Sequence, residues 1–192
     1  AIFTVVDPVK NRVPMHAVSV ELLQQQSDAL GLQIHLSQLD GNVPDGGIQS
    51  LLNKARQNDI RFFAFGDLFL EEIRRYREQN MADTGIGTLF PLWQQPTDEL
   101  MKNLIGSGMR AIITSVDLKA LPASFLGREL TMEVVEEIIA LGNDPCGENG
   151  EYHSFVFDGP LFDQPITFVT EEPVIADGFG HLGLKPAEDE SS

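Results

Sequence analysis

Apolar residues recur along the first third of the chain with the spacing of β-strands. A β-branched apolar run fills residues 1–6, and a second apolar run, RFFAF, lies within 60–66; both are typical of buried strands. Between them, apolar residues at 32, 34 and 36 alternate with polar ones, which predicts a half-buried strand. The pattern therefore indicates three strands in the first 66 residues.

Helical patterns separate and follow these strands. Residues 17–30 form a helical stretch that ends at Gly31, and residues 48–55 place apolar side chains at i, i+3, i+4 and i+7. A charged helix is predicted at 68–80. Strands that alternate with helices favour a parallel sheet with right-handed crossovers, so the fold class is α/β with a Rossmann-like parallel sheet.

The segment 84–96, TGIGTLFPLWQQP, breaks this alternation and marks a predicted domain boundary. Residues 1–92 are assigned to one domain and residues 93–192 to a smaller C-terminal α+β domain. In the second domain, Thr97 is expected to cap a helix whose first turn is acidic. A strand at 110–116, a helix at 131–142 and short strands after 150 follow.

Composition narrows the classes of partner. The 192 residues carry a formal net charge of -16, which repels phosphate backbones and predicts no nucleic-acid partner. No stretch reaches the roughly 18 apolar residues of a membrane helix, and the start shows no signal-peptide pattern. One cysteine fits a reducing compartment. We expect a cytoplasmic protein with no membrane partner, whose exposed sheet edges would favour a homo-oligomer.

The densest chemistry lies in the stretch DPCGENGEYHSFVFDGP, residues 144–160. Glu148 and Glu151 flank Asn149-Gly150, so both carboxylates can project from one tight loop. Two close carboxylates can share a proton, orient ammonia or bind a cation. A glycine turn leading into a strand would explain the glycines but not the ionisable groups. Cys146 and His153 could join Glu148 as metal ligands, but without HxxxH or CxxC spacing no metal site is predicted.

Two further positions lie where α/β sheets place ligands. Gly66 and Asp67 follow the strand at 60–66 and precede a helix, where free backbone N–H groups attract phosphate. The alternative is a plain strand–helix turn in which Asp67 is the helix N-cap. His16 follows the first strand and has either a structural role or a role in ligand binding.

The sequence CGENGEYHSFVFDGPLF resembles the signature CGEGGEYETF-x-LD-x-PLF of the diphthine–ammonia ligase family. The resemblance continues in the family's order through MHAV, FGDLFLEEIRRYRE, LFPLW, GMRAIITSV and FLGREL, and so covers nearly the whole chain. Members of this family are PP-loop ATP pyrophosphatases on a HUP-like (adenine nucleotide alpha hydrolase-like) fold. The resemblance implies an ATP-dependent ligase that adenylates a carboxylate, releases pyrophosphate and lets ammonia displace AMP.

The resemblance implies that residues 1–92 are a HUP-like nucleotide-binding domain and that residues 93–192 are the substrate-side domain. It also implies roles for single residues. Glu148 and Glu151 would be catalytic, holding ammonium and accepting its proton. The expected partners are ammonia and a small-molecule or protein carboxylate, and the expected cofactors are ATP and Mg²⁺. The implied substrate-binding residues are Gly147, Gly150, Tyr152, His153 and Ser154. The implied nucleotide-binding residues are Thr4, His16, Gly66, Asp67 and Arg74.

Departures from the family pattern shape these expectations. His153 and Asn149 replace a family Glu and Gly, and Asp67 replaces an Ala, which points to a bacterial-type branch and leaves the acceptor substrate open. The PP-loop, of the form SGGKDS, and the strand before it are not in the sequence.

That strand would lie centrally, between 1–6 and 60–66. The chain is therefore expected to be a fragment of a longer protein that binds ATP weakly or not at all on its own. Two alternatives stay open: a non-catalytic nucleotide- or ligand-binding module that has lost the PP-loop, and a metal-dependent hydrolase using Glu148, Glu151 and His153.

Overall fold

A computed structural model describes residues 1–14, 18–38 and 48–187, with the backbone alone at Ile48, and shows a mixed α/β fold with parallel and antiparallel strand pairs. The elements of the first half alternate between strand and helix, as the sequence predicts. They are β1 (Ile2–Val6), α1 (Val20–Ala29), β2 (Ile34–Gln38), α2 (Ile48–Gln57), β3 (Phe62–Ala64), α3 (Glu71–Met81) and β4 (Gly87–Leu89).

The second half contains more strands than helices. Its elements are α4 (Thr97–Gly106), β5 (Arg110–Asp117), a 3-10 turn (Ala123–Phe125), α5 (Met132–Ala140), β6 (Tyr152–Asp158), β7 (Phe168–Thr170), β8 (Val174–Ala176), β9 (Phe179–His181) and β10 (Leu184–Pro186). No helix in the described part of the chain is long and apolar enough to cross a membrane.

The parallel strands form two separate pairs instead of the single sheet predicted. β1 pairs with β2, and β3 pairs with β4, a strand that the sequence pattern did not predict within 84–96. Within the described residues, no strand is hydrogen-bonded to the second edge of β1 or of β3. Strand periodicity reports which side chains are buried, but it does not report which backbone lies alongside.

A strand forms within 60–66, as predicted, but the prediction that it is buried is wrong. Phe62 is 59% exposed, and Ala64 is exposed as well. A cavity of about 690 Å³ separates β3 from β1 and is lined by residues 1–5 and 62–65. The rings of Phe3 and Phe63 meet edge-on in this region, with centroids 5.0 Å apart. The apolar run is exposed because nothing in the described structure covers its open edge.

Three helix starts differ from the predicted ones. α1 begins at Val20, where the Ser19 side chain accepts a hydrogen bond from the Leu22 N–H. Thr97 is the first residue of α4 and not its cap, because Pro96 occupies the N-cap position with an extended ψ of 121°. α3 begins at Glu71, so Asp67 lies outside the helix and is not its N-cap.

The second half is built on a four-stranded antiparallel sheet in the order β6-β5-β9-β8. Adjacent residues of β5 point to opposite faces: Ile113 packs with α5 and the 3-10 turn, and Ile112 packs with α1 and β10. The core on the second face includes Leu22 of α1 and Leu184 of β10, both fully buried. α1 thus packs on the C-terminal sheet, and the predicted division at 92/93 stays a prediction.

Candidate active site at the glycine-rich loop

A cavity of about 470 Å³ lies between the β3–α3 turn and the loop that precedes β6. Gly66 and Asp67 line its first wall, together with Arg77 from α3. The second wall consists of Cys146, Gly147, Glu148, Gly150, Tyr152, His153 and Ser154. Folding therefore brings two of the residues predicted for the nucleotide side to the same cavity as the residues predicted for the substrate side.

The loop between α5 and β6 depends on glycine at two positions. Gly147 and Gly150 have φ angles of 70° and 88°, a region that other residues rarely adopt. A Cβ atom on Gly147 would also lie 2.9 Å from the carbonyl oxygen of Tyr152. The Gly147 N–H donates to the Asp144 carbonyl, and the Gly150 N–H donates to the Gly147 carbonyl. The glycines thus allow two successive tight turns.

Glu151 holds this loop together from inside. Its side chain is buried, with 6% of the residue exposed. Its carboxylate accepts hydrogen bonds from the Asp144 N–H at 3.0 Å, the Asn149 N–H at 3.0 Å and the Asn149 side-chain amide at 2.9 Å. A carboxylate has about four acceptor sites, so three of them are used by the loop itself.

Glu148 faces the opposite way and joins the two walls of the cavity. One of its oxygens, Oε1, accepts a hydrogen bond of 2.7 Å from the Leu68 N–H in the β3–α3 turn. Leu68 is buried, and its carbonyl accepts from the Gln94 N–H at 2.7 Å. A carboxylate that accepts from a backbone N–H forms one of the stronger hydrogen bonds in proteins. Glu148 therefore fixes the position of the first wall relative to the second.

An ion pair fixes the first wall. The Arg77 guanidinium donates to both oxygens of Asp67, at 2.8 Å from Nε and 3.3 Å from Nη2. The guanidinium also lies over the Phe65 ring, 4.7 Å from its centroid. Sequence reasoning missed Arg77, because Arg74, Arg75 and Arg77 share one helix and no pattern separates them.

Arg74, predicted for nucleotide binding, has other contacts. Its guanidinium lies between Phe90 and Trp93, at 4.9 Å and 4.8 Å from the ring centroids, and its Nε donates to Glu78 at 2.9 Å. It lines neither of the two cavities described above. Thr4 lines the larger cavity between β1 and β3. His16 lies outside the described residues, so its predicted role stays a prediction.

Two weakly acidic groups beside the loop stay neutral. Burial, reinforced by Asp144 and Glu148, raises the pKa of the Cys146 thiol to about 12, and the thiol donates to the Thr97 carbonyl at 3.4 Å. Burial likewise raises the pKa of Tyr152, with Cys146 the next cause, and its hydroxyl donates to the Pro145 carbonyl at 2.7 Å. At neutral pH neither group supplies a negative charge to the cavity.

A row of polar side chains crosses the sheet beside the cavity. Ser115 of β5 lies opposite His153 of β6 on one side and opposite His181 of β9 on the other. The Ser115 hydroxyl and His181 Nδ1 are 3.0 Å apart. The row arises from strand register, which the sequence pattern did not reveal. Within the described residues no group of three His, Cys, Asp or Glu side chains could hold a metal ion.

A glycine-rich acidic loop faces a strand–helix turn across a cavity, and α/β sheets commonly place ligands at the ends of their strands. Residues 96–187, which include this loop, match the family model of the diphthamide synthase C-terminal domain. These matches support the diphthine–ammonia ligase family as the family of this chain.

Three curated relatives illustrate the similarity. The diphthine–ammonia ligase of Danio rerio is 30% identical over 165 residues, which covers 80% of this chain and 64% of that protein. The Mus musculus enzyme is 32% identical over 145 residues, or 64% and 54% of the two chains. The Schizosaccharomyces pombe enzyme is 33% identical over 110 residues, or 55% and 18%. The chain thus spans less than two thirds of the length of the relatives it matches.

Proposed function

We propose that this chain is part of an ATP-dependent carboxylate–ammonia ligase. In the proposed reaction a carboxylate attacks ATP to form an acyl adenylate and releases pyrophosphate, and ammonia then displaces AMP to form an amide. The adenylate is needed because a carboxylate becomes a good electrophile only when its oxygen belongs to a good leaving group. The observation that carries the proposal is the position of Glu148, in the family-matched loop and directly opposite the β3–α3 turn.

The two glutamates of the loop are proposed to have different roles in the reaction with ammonia. Glu148 lines the cavity and is proposed to hold ammonium and take one proton from it. The ammonia then attacks the acyl carbon; the C–N bond forms, the bond to AMP breaks, and the remaining excess proton leaves to water. Glu151 positions the loop, as its three hydrogen bonds to Asp144 and Asn149 favour. Direct contact between Glu151 and ammonium stays a prediction.

The described residues fit ATP better than they fit Mg²⁺. Gly66, Asp67 and Thr4 line the cavities on the proposed nucleotide side. Mg²⁺ is usually bound by one or two carboxylates together with substrate phosphates, but the Asp67 carboxylate is occupied by Arg77. The Asp67 carboxylate is therefore not free to bind Mg²⁺ while the ion pair is intact. The acceptor carboxylate and the protein's partners stay proposals.

The cavity between β1 and β3 supports a HUP-like sheet. Neighbouring strands lie about 4.8 Å apart. Among the described strands, none pairs with the edges of β1 and β3 that face the cavity of about 690 Å³. We propose that a further parallel strand, from outside the described residues, fills this gap. The sheet order would then be β2-β1-new strand-β3-β4, with the PP-loop after the new strand.

The experiment that tests the proposed function measures the transfer of ¹⁵N from ammonium into an amide product. The native protein, isolated from its own cells and checked by intact mass, is incubated with ATP, Mg²⁺, ¹⁵N-ammonium and a panel of carboxylates. We expect one AMP and one pyrophosphate for each ¹⁵N-amide formed, measured by mass spectrometry. Formation of ADP and phosphate, or no AMP with any acceptor, would contradict the proposal.

One alternative has an observation in its favour. The open gap between β1 and β3 and the internally bonded loop are also compatible with a binding module that performs no reaction. Such a module would bind nucleotide in the same experiment without forming AMP. No described cluster favours the metal-dependent hydrolase, which would release ammonia from amides when metal is added.

A further inference from the structure

Arg77 borders both cavities of the described structure. It lines the larger cavity between β1 and β3 and also the smaller one at the glycine-rich loop. Among the described residues it is the only arginine or lysine that lines either of them. A single permanent cation thus lies at the junction of the two proposed halves of the site.

The guanidinium is held in one orientation. Asp67 accepts from Nε and Nη2, and the Phe65 ring supports the guanidinium plane. Within the described residues Nη1 has no hydrogen-bond partner. The Asp67 side chain is 11% exposed and that of Arg77 is 37% exposed, so the carboxylate lies deeper than the guanidinium it orients. An arginine fork fixed on one edge can bind an oxyanion with its other edge.

Charge makes such a residue necessary for an anionic ligand. The chain carries a formal net charge of -16, and Glu148 and Asp67 add negative charge at the smaller cavity. An approaching polyphosphate is repelled unless a local cation compensates. Arg74 cannot supply this compensating charge without losing its ring contacts with Phe90 and Trp93 and its hydrogen bond to Glu78.

We propose that Arg77 is a phosphate-binding residue of this protein and that it contacts a diphosphate group at the junction of the two cavities. Asp67 is the positioning residue that orients the guanidinium before the ligand arrives. The inference rests on the proposed function, since pyrophosphate is the product of the adenylation step. It assigns the anion contact to Arg77 in place of Arg74.

The test measures binding of inorganic pyrophosphate to the native protein, checked by intact mass, by isothermal titration calorimetry. We expect saturable binding that is weakened about tenfold in Arg77→Lys, which keeps the charge but loses the fork; that ratio corresponds to about 1.4 kcal/mol. Arg75→Ala, an exposed residue of the same helix, is the matched control and should stay within about twofold of wild type.

A second measurement needs no variant. In ¹H–¹⁵N spectra of the wild-type native protein, the Nε signal of Arg77 should shift on addition of pyrophosphate, while that of Arg75 should not. No binding to the wild-type native protein, equal binding by Arg77→Lys, or equal binding of sulfate would each overturn the inference. Amide formation is measured separately. If the enzyme forms amide but its affinity for pyrophosphate does not depend on Arg77, this inference alone is wrong. If pyrophosphate binding depends on Arg77 but no amide forms, the ligase proposal alone is wrong.

Discussion

At the scale of single residues, Glu151 and Glu148 have different surroundings and should respond differently to the same change. Glu151→Gln replaces one acceptor oxygen by an NH₂ group that faces the donors of Asp144 and Asn149. We expect it to lower the free energy of unfolding by about 1–3 kcal/mol, measured by urea denaturation. Glu148→Gln keeps an oxygen for the Leu68 N–H and should cost less. An equal loss for the two variants would contradict the positioning role of Glu151.

Cys146 provides a second test at this scale. Because its pKa is raised to about 12 in the folded protein, the thiolate that reacts with alkylating agents is rare at neutral pH. We expect the rate of iodoacetamide labelling to keep rising with pH beyond the ordinary thiol pKa of 9.0, and to be much faster in urea-unfolded protein at the same pH. A labelling rate that levels off below pH 9 in the folded protein would contradict this environment.

The raised thiol pKa also sets the sign of a stability effect. The folded state favours the protonated thiol, so this contribution to stability is fully present below the unfolded pKa of 9.0 and is lost as the pH rises towards 12. Tyr152 has the same sign, because its pKa is raised as well. The free energy of unfolding should therefore fall with pH above about 9.

At the scale of elements, β1 and β3 each have one edge that pairs with no described strand, and this predicts a pattern of amide hydrogen exchange. The N–H groups of Ile2 and Phe65 point to the partner strands β2 and β4, and successive N–H groups of a strand alternate in direction. In the 192-residue chain by itself, two sets of amides should therefore differ in protection, measured by NMR-detected exchange. The fast set is Phe3, Val5, Phe62 and Ala64, and the slow set is Thr4 and Phe63. Equal protection of the two sets would show that the gap is closed.

The elements also show what the sequence could and could not predict. Most helices and strands follow from local periodicity, and the loop at Gly147–Glu151 follows from the density of glycines and carboxylates. Strand pairing, the Asp67–Arg77 ion pair and the Glu148–Leu68 hydrogen bond depend on segments 10 to 80 positions apart. Local pattern carries no information about such contacts, which is why the sequence did not point to Arg77.

At the scale of the whole molecule, net charge opposes the association that exposed apolar strands favour. Phe62 of β3 and Val174 and Ile175 of β8 are more than half exposed, while the formal charge of -16 keeps copies apart. Raising the salt concentration from about 0.05 to 0.5 M shortens the screening length several-fold. Sedimentation velocity should therefore show more self-association at high salt, and dissociation at high salt would contradict this balance.

The central claim is that the glycine-rich loop holds ammonium through Glu148. The most direct measurement is a titration of the 192-residue chain with ammonium chloride, followed by ¹H–¹⁵N NMR against sodium chloride at equal ionic strength. The account predicts saturable shifts at Glu148 and its loop neighbours that vanish in Glu148→Gln and persist in Glu99→Gln, an exposed carboxylate on α4. Shifts that are identical for sodium and ammonium, or that survive in Glu148→Gln, would contradict it.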